Sequence, residues 1–454
     1  MESTRRRGRA GFLAEALRAQ LWPLPAAAVV VAITAGVLLP RVDRGLADDM
    51  PAWSDSFLFG GGPEAARNVL DVIASSLITV TSLTFSLTVV TLQLASSQFS
   101  PRLLRTFSRD RVVHATLALF LGTFVYALTV LRTVRSGDQG RQFVPQVSVT
   151  LGLVLGIVSV IALVLFLAHL ARQIRPEEMV TRVQREAEAT AEAALGRRDP
   201  AEGPPRLPVR PACEQPLEAG ESGFVVSVDE DGLLEAAVRH GAVVVLDRAP
   251  GGSVVAGTPL GTWWPHGDPA YAPDATDGEA LAERVRAAVV TASERTAAQD
   301  VGYGLRQLAD VAAKGLSPGI NDPTTAVHAL GRSSALLCTL TGYALGPRVL
   351  HDDAGEVRVI VRHPDLPELL ELALGQSRRY GASDPFVMAR QVDLLAEVAW
   401  CVRQDAHREA VRDQLQRIRK MVADQDFDHV ERDRLESLAR RVEEALAGRW
   451  PPEG

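Results

Sequence analysis

The sequence predicts a membrane α-helical domain of four transmembrane helices, followed by a cytoplasmic α+β portion made of a small β-rich unit and a helical bundle. Three observations predict this. Within residues 1–175, four apolar stretches reach the ~20 residues that a bilayer requires. That stretch holds 17 Arg and 10 Asp or Glu, whereas residues 176–454 hold 31 Arg or Lys and 45 acids, so a basic apolar half precedes an acidic one. Beyond residue 220, short alternating apolar runs give way to long segments of helical period. An acidic second half argues against nucleic acid as a partner.

The spans read as 22–39, 69–94, 112–131 and 147–170 within a transmembrane domain of residues 1–175. The first follows Arg5, Arg6, Arg7 and Arg9 as a signal peptide would, but its apolar run is long and lacks a cleavage pattern, so it reads as a retained anchor. Arg102, Arg105, Arg109 and Arg111 follow the second span, and Arg172 and Arg175 the fourth. The first outer loop carries Asp43, Asp48, Asp49, Asp55 and Glu64, and arginines mark the inner side. The expected arrangement is multi-pass, with both termini cytoplasmic. Ser100-Pro101 has the form of a helix start, and the basic, partly apolar helix 102–109 suits anionic lipid at the inner surface as well as it suits an ordinary inner loop. Gly152 and Gly156, continued by Ser159, mark a close-packing face on the fourth span. His114 and His169 fall near the inner surface, where interfacial packing and pH sensing are both open to them.

The second span is unusual. At about 100° per residue, Asp71, Ser75, Thr79, Ser82, Ser86, Gln93 and Ser97 share one narrow face, and Thr81, Thr84, Thr88 and Thr91 share the opposite one. Polar groups in hydrocarbon are costly unless protein or water meets them. Two roles are open to the first face. It can pack against another helix through hydroxyl hydrogen bonds, or it can line a wet path in which hydroxyls replace part of an ion's hydration shell. One such helix cannot enclose a pore, so the second role requires a homo-oligomer.

Residues 176–220 form a charged helix, 177–197, and a Pro-rich linker. Residues 221–275 form the β-rich unit, with strands at 224–228 and 242–247, a short helix at 230–239, a turn at Pro250-Gly251-Gly252 and an extended stretch at 253–264. The run 254–260 resembles the hairpin of biotinyl and lipoyl-type domains, but no Lys stands at the turn, so carrier chemistry is not implied. Trp263-Trp264 reads as core or interface. Residues 276–454 form the mainly helical domain, with helices at 279–300, 302–314, 324–345, 366–380, 385–402, 407–423 and 427–447 and a hairpin around 349–361. Cys213, Cys338 and Cys401 are far apart and odd in number, which argues against a disulfide framework or a structural zinc site.

Ser317-Pro318-Gly319 forces a turn, and Asn321 or Asp322 can cap the helix after Pro323, leaving amide groups as a candidate anion site. Arg295, Gln299, Asp300, Asp310 and Lys314 surround this string in sequence. The roles open to Arg295, Asp300, Asp310, Ser317, Asn321 and Asp322 are a structural turn and cap, or a small-ligand or ion site.

Two stretches carry a family likeness. The first runs from Ser82-Leu83-Thr84-Phe85-Ser86 to Gln93-Leu94-Ala95-Ser96-Ser97-Gln98-Phe99-Ser100-Pro101-Arg102. The second is Leu316-Ser317-Pro318-Gly319-Ile320-Asn321-Asp322-Pro323. With them the chain resembles, over most of its length, the bacterial predicted membrane proteins grouped as domain of unknown function 2254. The resemblance implies a multi-pass membrane protein with a cytoplasmic domain and brings no activity or catalytic residue. The residues favour an oligomeric ion channel or transporter with a regulatory cytoplasmic domain. The alternative is a non-transporting sensor or scaffold that binds a ligand or partner. No Ser/His/Asp, metal or paired-carboxylate constellation stands out, so no enzyme and no cofactor are expected.

Overall fold

The computed structural model describes residues 22–46, 58–98, 110–135, 143–173, 176–197, 205, 207–267 and 275–450. The chain divides after Arg175 into two compact units. The expected basic helix at 102–109 and the Ser100-Pro101 start lie outside the described residues.

Among the described residues the first unit has four helices, α1 (Pro23–Leu46), α2 (Pro63–Gln98), α3 (Arg111–Leu131) and α4 (Gln146–Gln173). Each contains a segment long and apolar enough to cross a bilayer, with mean hydropathies of 2.0, 1.8, 1.8 and 3.0. α3 is the central helix, since 56% of its span is buried against at most 28% of any other. The bundle core joins Ala32 of α1, Leu70 and Ala74 of α2, Tyr126 and Val130 of α3, and Val149 of α4. The partner of the small-residue face on α4 is α2. A Cβ on Gly152 would stand 3.1 Å from Leu70, and one on Gly156 3.5 Å from Ile73. Ser159 completes the face by bonding Thr123 of α3 at 3.4 Å.

A buried carboxylate ties the bundle at one end. Asp43, which the sequence assigns to an outer loop, lies inside the last turns of α1. Its oxygens accept from the Val147 and Ser148 amides at 3.2 and 3.1 Å and from the Ser148 hydroxyl at 2.6 Å. A helix start leaves such amides without internal partners, and a negative group there also meets the positive end of the helix dipole. The Tyr126 hydroxyl donates to the Ser148 carbonyl beside it at 3.0 Å.

The second unit begins with α5 (Pro176–Ala194) and continues as strands and helices that build two sheets. These are β1 (Gln215–Glu218), β2 (Gly223–Val228), α6 (Glu230–Arg239), β3 (Ala242–Leu246), β4 (Ser253–Val254), β5 (Pro259–Pro265), α7 (Ala275–Ala288), β6 (Val289–Ala292), α8 (Tyr303–Gly315), α9 (Pro323–Leu340), β7 (Arg348–His351) and β8 (Val357–Val361). The larger sheet runs β1-β5-β3-β8-β7 and the smaller β4-β2-β6. β3 and β8 pair in parallel, so a strand from the mainly helical stretch completes the larger sheet. Four more helices follow: α10 (Leu366–Tyr380), α11 (Pro385–Cys401), α12 (Asp405–Ala423) and α13 (His429–Leu446).

Two sequence expectations change here. The helix expected over 279–300 stops at Ala288, because Val289–Ala292 pairs antiparallel with β2. Its β-branched Val289, Val290 and Thr291 suit a strand better than a helix. The hairpin likened to biotinyl and lipoyl-type domains is absent. β4 pairs with β2 and β5 with β1 and β3, so the turn at Gly257 carries the chain from one sheet to the other. Trp263 and Trp264 alternate across β5 into separate buried clusters, which makes both core residues. The helix starts follow their sequence signals. Asp322, Asp365, Asp384 and Asp428 cap α9, α10, α11 and α13, three of them beside a proline in the first turn.

Candidate functional site

The two polar faces of α2 meet opposite surroundings. Thr81, Thr84, Thr88 and Thr91 are buried in the bundle. Thr81, Thr88 and Thr91 donate to carbonyls one turn back at 2.6, 2.8 and 2.8 Å, which satisfies each hydroxyl within its own helix. The other face points away from the bundle. Asp71, Ser75, Thr79, Ser82, Ser86 and Gln93 are all exposed, and the side chain of Ser97 lies outside the described residues. Ser75 and Thr79 bond back to carbonyls of α2 at 3.2 and 3.1 Å. The Ser82 and Ser86 hydroxyls have no hydrogen-bond partner among the described residues. Apolar neighbours flank them, with Leu83 62% and Phe85 55% exposed.

At the bundle end opposite Asp43, Asp110 caps α3 by accepting from Val112 N–H at 2.8 Å. Its second oxygen pairs with Nε2 of His169 on α4 at 2.7 Å. His114 is buried on α3 one turn beyond the cap.

In the second unit the candidate residues divide into two groups at opposite ends of α8, which at 13 residues is about 20 Å long. At its start, half-buried Arg295 and buried Asp300 form an ion pair. Asp300 also accepts from Gly302 N–H at 3.1 Å. Burial pushes the Asp300 carboxyl up despite the opposing Arg295 hydrogen bond. Gly251, at φ +85°, presses directly on this pair, since a Cβ there would stand 2.1 Å from a carboxylate oxygen. Gln299 clips β2 by accepting from Val228 N–H at 2.8 Å and donating to its carbonyl at 3.3 Å. These contacts clasp the loop before α8 to the sheets. Asp310 and Lys314 lie half-buried along α8.

At the far end of α8, Ser317 donates its hydroxyl to the Lys314 carbonyl at 2.6 Å. Asn321 takes the left-handed conformation, φ +49°, that closes the turn. Asp322, not Asn321, caps α9, accepting from the Thr325 amide at 3.1 Å and hydroxyl at 2.5 Å. The Thr325 hydroxyl holds the Asp322 carboxyl below its ordinary range. The capping carboxylate occupies the place an external anion would take at this helix start.

The structure adds a feature that the sequence did not signal. A cleft of about 490 Å³ opens between α5, α9 and α11, lined by Glu177, His328, Arg332 and Arg390 among others. Arg390 is held by both Glu397 oxygens, at 2.9 and 2.8 Å. His328 and Arg332 face solvent, Arg332 reaching Gln184 of α5 at 3.4 Å. Its residues come from helices far apart in sequence, so no local spacing could reveal it.

Among the described residues, four bilayer-length helices precede a unit of sheets and helices, which defines a multi-pass membrane protein. The chain belongs to the family described as predicted membrane protein, domain of unknown function 2254, whose model matches residues 18–397. Uncharacterized proteins of Mycobacterium tuberculosis strain H37Rv and of Mycobacterium bovis are 34% identical to it over 435 residues, covering 95% of this chain and 81% of theirs. No solved structure matches the chain.

Proposed function

We propose that the protein is a homo-oligomeric ion channel or transporter of the bacterial inner membrane, with the outward polar face of α2 lining the path and the second unit regulating it from the cytoplasm. The observation that carries the reading is the exposure of Ser82 and Ser86 in mid-helix with no hydrogen-bond partner among the described residues. In hydrocarbon a bare hydroxyl costs free energy that water or a facing copy would remove. A ring of α2 helices around an axis supplies the water, and Asp71 near one end supplies an acidic ring that favours cations. Arginines before α1, after α2 and after α4 support both termini inside. The basic segment 102–109 supports contact with anionic lipid. The 490 Å³ cleft supports a small regulatory ligand for the second unit.

Ion flux into proteoliposomes, measured beside oligomer mass, tests the reading. Ser82→Leu and Ser86→Leu are expected to abolish flux by dewetting while leaving the oligomer intact. Asp71→Asn is expected to lower cation preference. Absence of wild-type flux for any common ion under varied pH and voltage, together with dissociation of the Leu variants, would replace the channel with a packed scaffold.

A further inference from the structure

α9 and α11 pack side by side. Gly331 of α9 backs onto Arg390 of α11, whose Nε stands 3.8 Å from the place of a Cβ at 331. Farther along, Ser334 donates to Glu397, the carboxylate that also clamps Arg390. Advancing both helices by one more turn, four residues on each, brings Cys338 opposite Cys401. The two thiols face each other closely enough for a weak S–H···S interaction to dominate the titration of both. Both are free and only partly buried, so packed helices hold them together while small solutes can reach them. Neither the path along α2 nor the clasp around α8 uses them. Nothing in their spacing of more than sixty residues announced the pair.

We propose that Cys338 and Cys401 form a redox-active dithiol that closes to a disulfide on reaction with a hydroperoxide and pins α9 to α11. The bland alternative is two cysteines packed as small apolar side chains, which buried free cysteines commonly are. The facing geometry, the access and the electrostatics favour the reactive reading. The Cys338 hydrogen bond pulls the Cys401 thiol down to about 7, with burial and Glu397 opposing and Arg403 assisting. The same contact, with burial and Glu397, pushes the Cys338 thiol up. Cys401 is therefore the thiol that ionises more readily and Cys338 the one that keeps its proton, the division of labour of an attacking and a resolving cysteine.

The chemistry balances in two steps. The Cys401 thiolate attacks one peroxide oxygen and the O–O bond breaks. The other oxygen leaves with a proton as water or an alcohol, and the sulfur, oxidised by two electrons, becomes a sulfenic acid. The Cys338 sulfur then attacks the Cys401 sulfur, gives up its proton and forms the S–S bond, while the sulfenic oxygen leaves as water. An external dithiol reverses the change by exchange, becoming the disulfide itself.

The test uses the full chain in nanodiscs carrying Cys213→Ser, so that only this pair remains. The protein is reduced, freed of reductant and treated with hydrogen peroxide, after which intact mass after alkylation counts the remaining thiols. The expected result is joint loss of both thiols, a peptide cross-link joining residues 338 and 401 of one chain, and full recovery with dithiothreitol. In the further variant Cys338→Ser, a dimedone adduct is expected on Cys401. Full alkylation of both thiols after peroxide, or cross-links only between separate chains, would overturn the dithiol. Absence of the adduct in Cys338→Ser would overturn Cys401 as the attacking group.

Discussion

Asp43→Ala removes the acceptor that ties α1 to the start of α4. Three donors lose their partner: Val147 N–H, Ser148 N–H and the Ser148 hydroxyl. The hydroxyl can rotate to another acceptor, but the amides are fixed by the helix. A buried donor left without a partner costs about 1–3 kcal/mol, so the two amides together cost about 2–6 kcal/mol. Water entering at the helix start offsets part of this, which puts the net near the lower half, about 3 kcal/mol. At about 1.4 kcal/mol per factor of ten, that is on the order of a hundredfold in the local opening equilibrium. Hydrogen exchange of the peptide containing Val147 and Ser148, measured on the full chain in nanodiscs, reads this directly. Asp43→Ala is expected to lose about two orders of magnitude of protection there. Asp43→Asn keeps one oxygen and is expected to lose about one. Unchanged exchange in Asp43→Ala would refute the tie, and with it the argument that α1 is held by a carboxylate and not only by apolar packing.

Asp322→Ala is expected to destabilise the second unit by about 1 kcal/mol near neutral pH, as cap losses do, in thermal unfolding of the full chain. The folded Asp322 carboxyl lies below its unfolded value, so its contribution is present above the ordinary carboxylate range and lost as pH falls through the folded value. The gap between wild type and variant should therefore close in acid, and a gap independent of pH would refute the charged cap. For topology, cysteines placed at Asp49 and Gly454 in a background lacking native cysteines should label from outside intact cells and only after permeabilisation, respectively. Labelling of the Gly454 site from outside would overturn the proposed orientation.

The sequence made the membrane helices legible because an apolar run of bilayer length needs no long-range partner to be recognised. The Asp-Pro starts of α9 and α11 were legible for a similar reason, since caps act within one turn. What remained hidden depends on chain returning from a distance. Val289–Ala292 continues a helical stretch in sequence and becomes a strand only because β2 is there to pair with it. Val357–Val361 reads as half of a hairpin and also closes a parallel pair with β3 more than a hundred residues earlier. Arg295 and Asp322 look like neighbours around one turn, and the length of α8 separates them. Asp43 reads as a loop charge because nothing nearby in sequence shows the helix start it serves.

The two polar faces of α2 show how far composition alone can carry a channel argument. Hydroxyls one turn from a carbonyl satisfy themselves, and Thr81, Thr88 and Thr91 do so while buried. A row of Ser and Thr is therefore compatible with a dry face, and its length is not evidence of water. The charged and amide ends of the outward face decide little either. Asp71 and Gln93 are 22 residues apart, about 33 Å along a helix, so in a bilayer core of about 30 Å both can reach the interfaces. What remains is Ser82 and Ser86, close to the midpoint, exposed and without an acceptor among the described residues. These two hydroxyls lie farthest from interfacial water, so they need a second copy or a continuous path most. A Leu at either position distinguishes those two needs, because a wet path loses conduction and keeps its assembly, whereas a packed face loses the assembly itself.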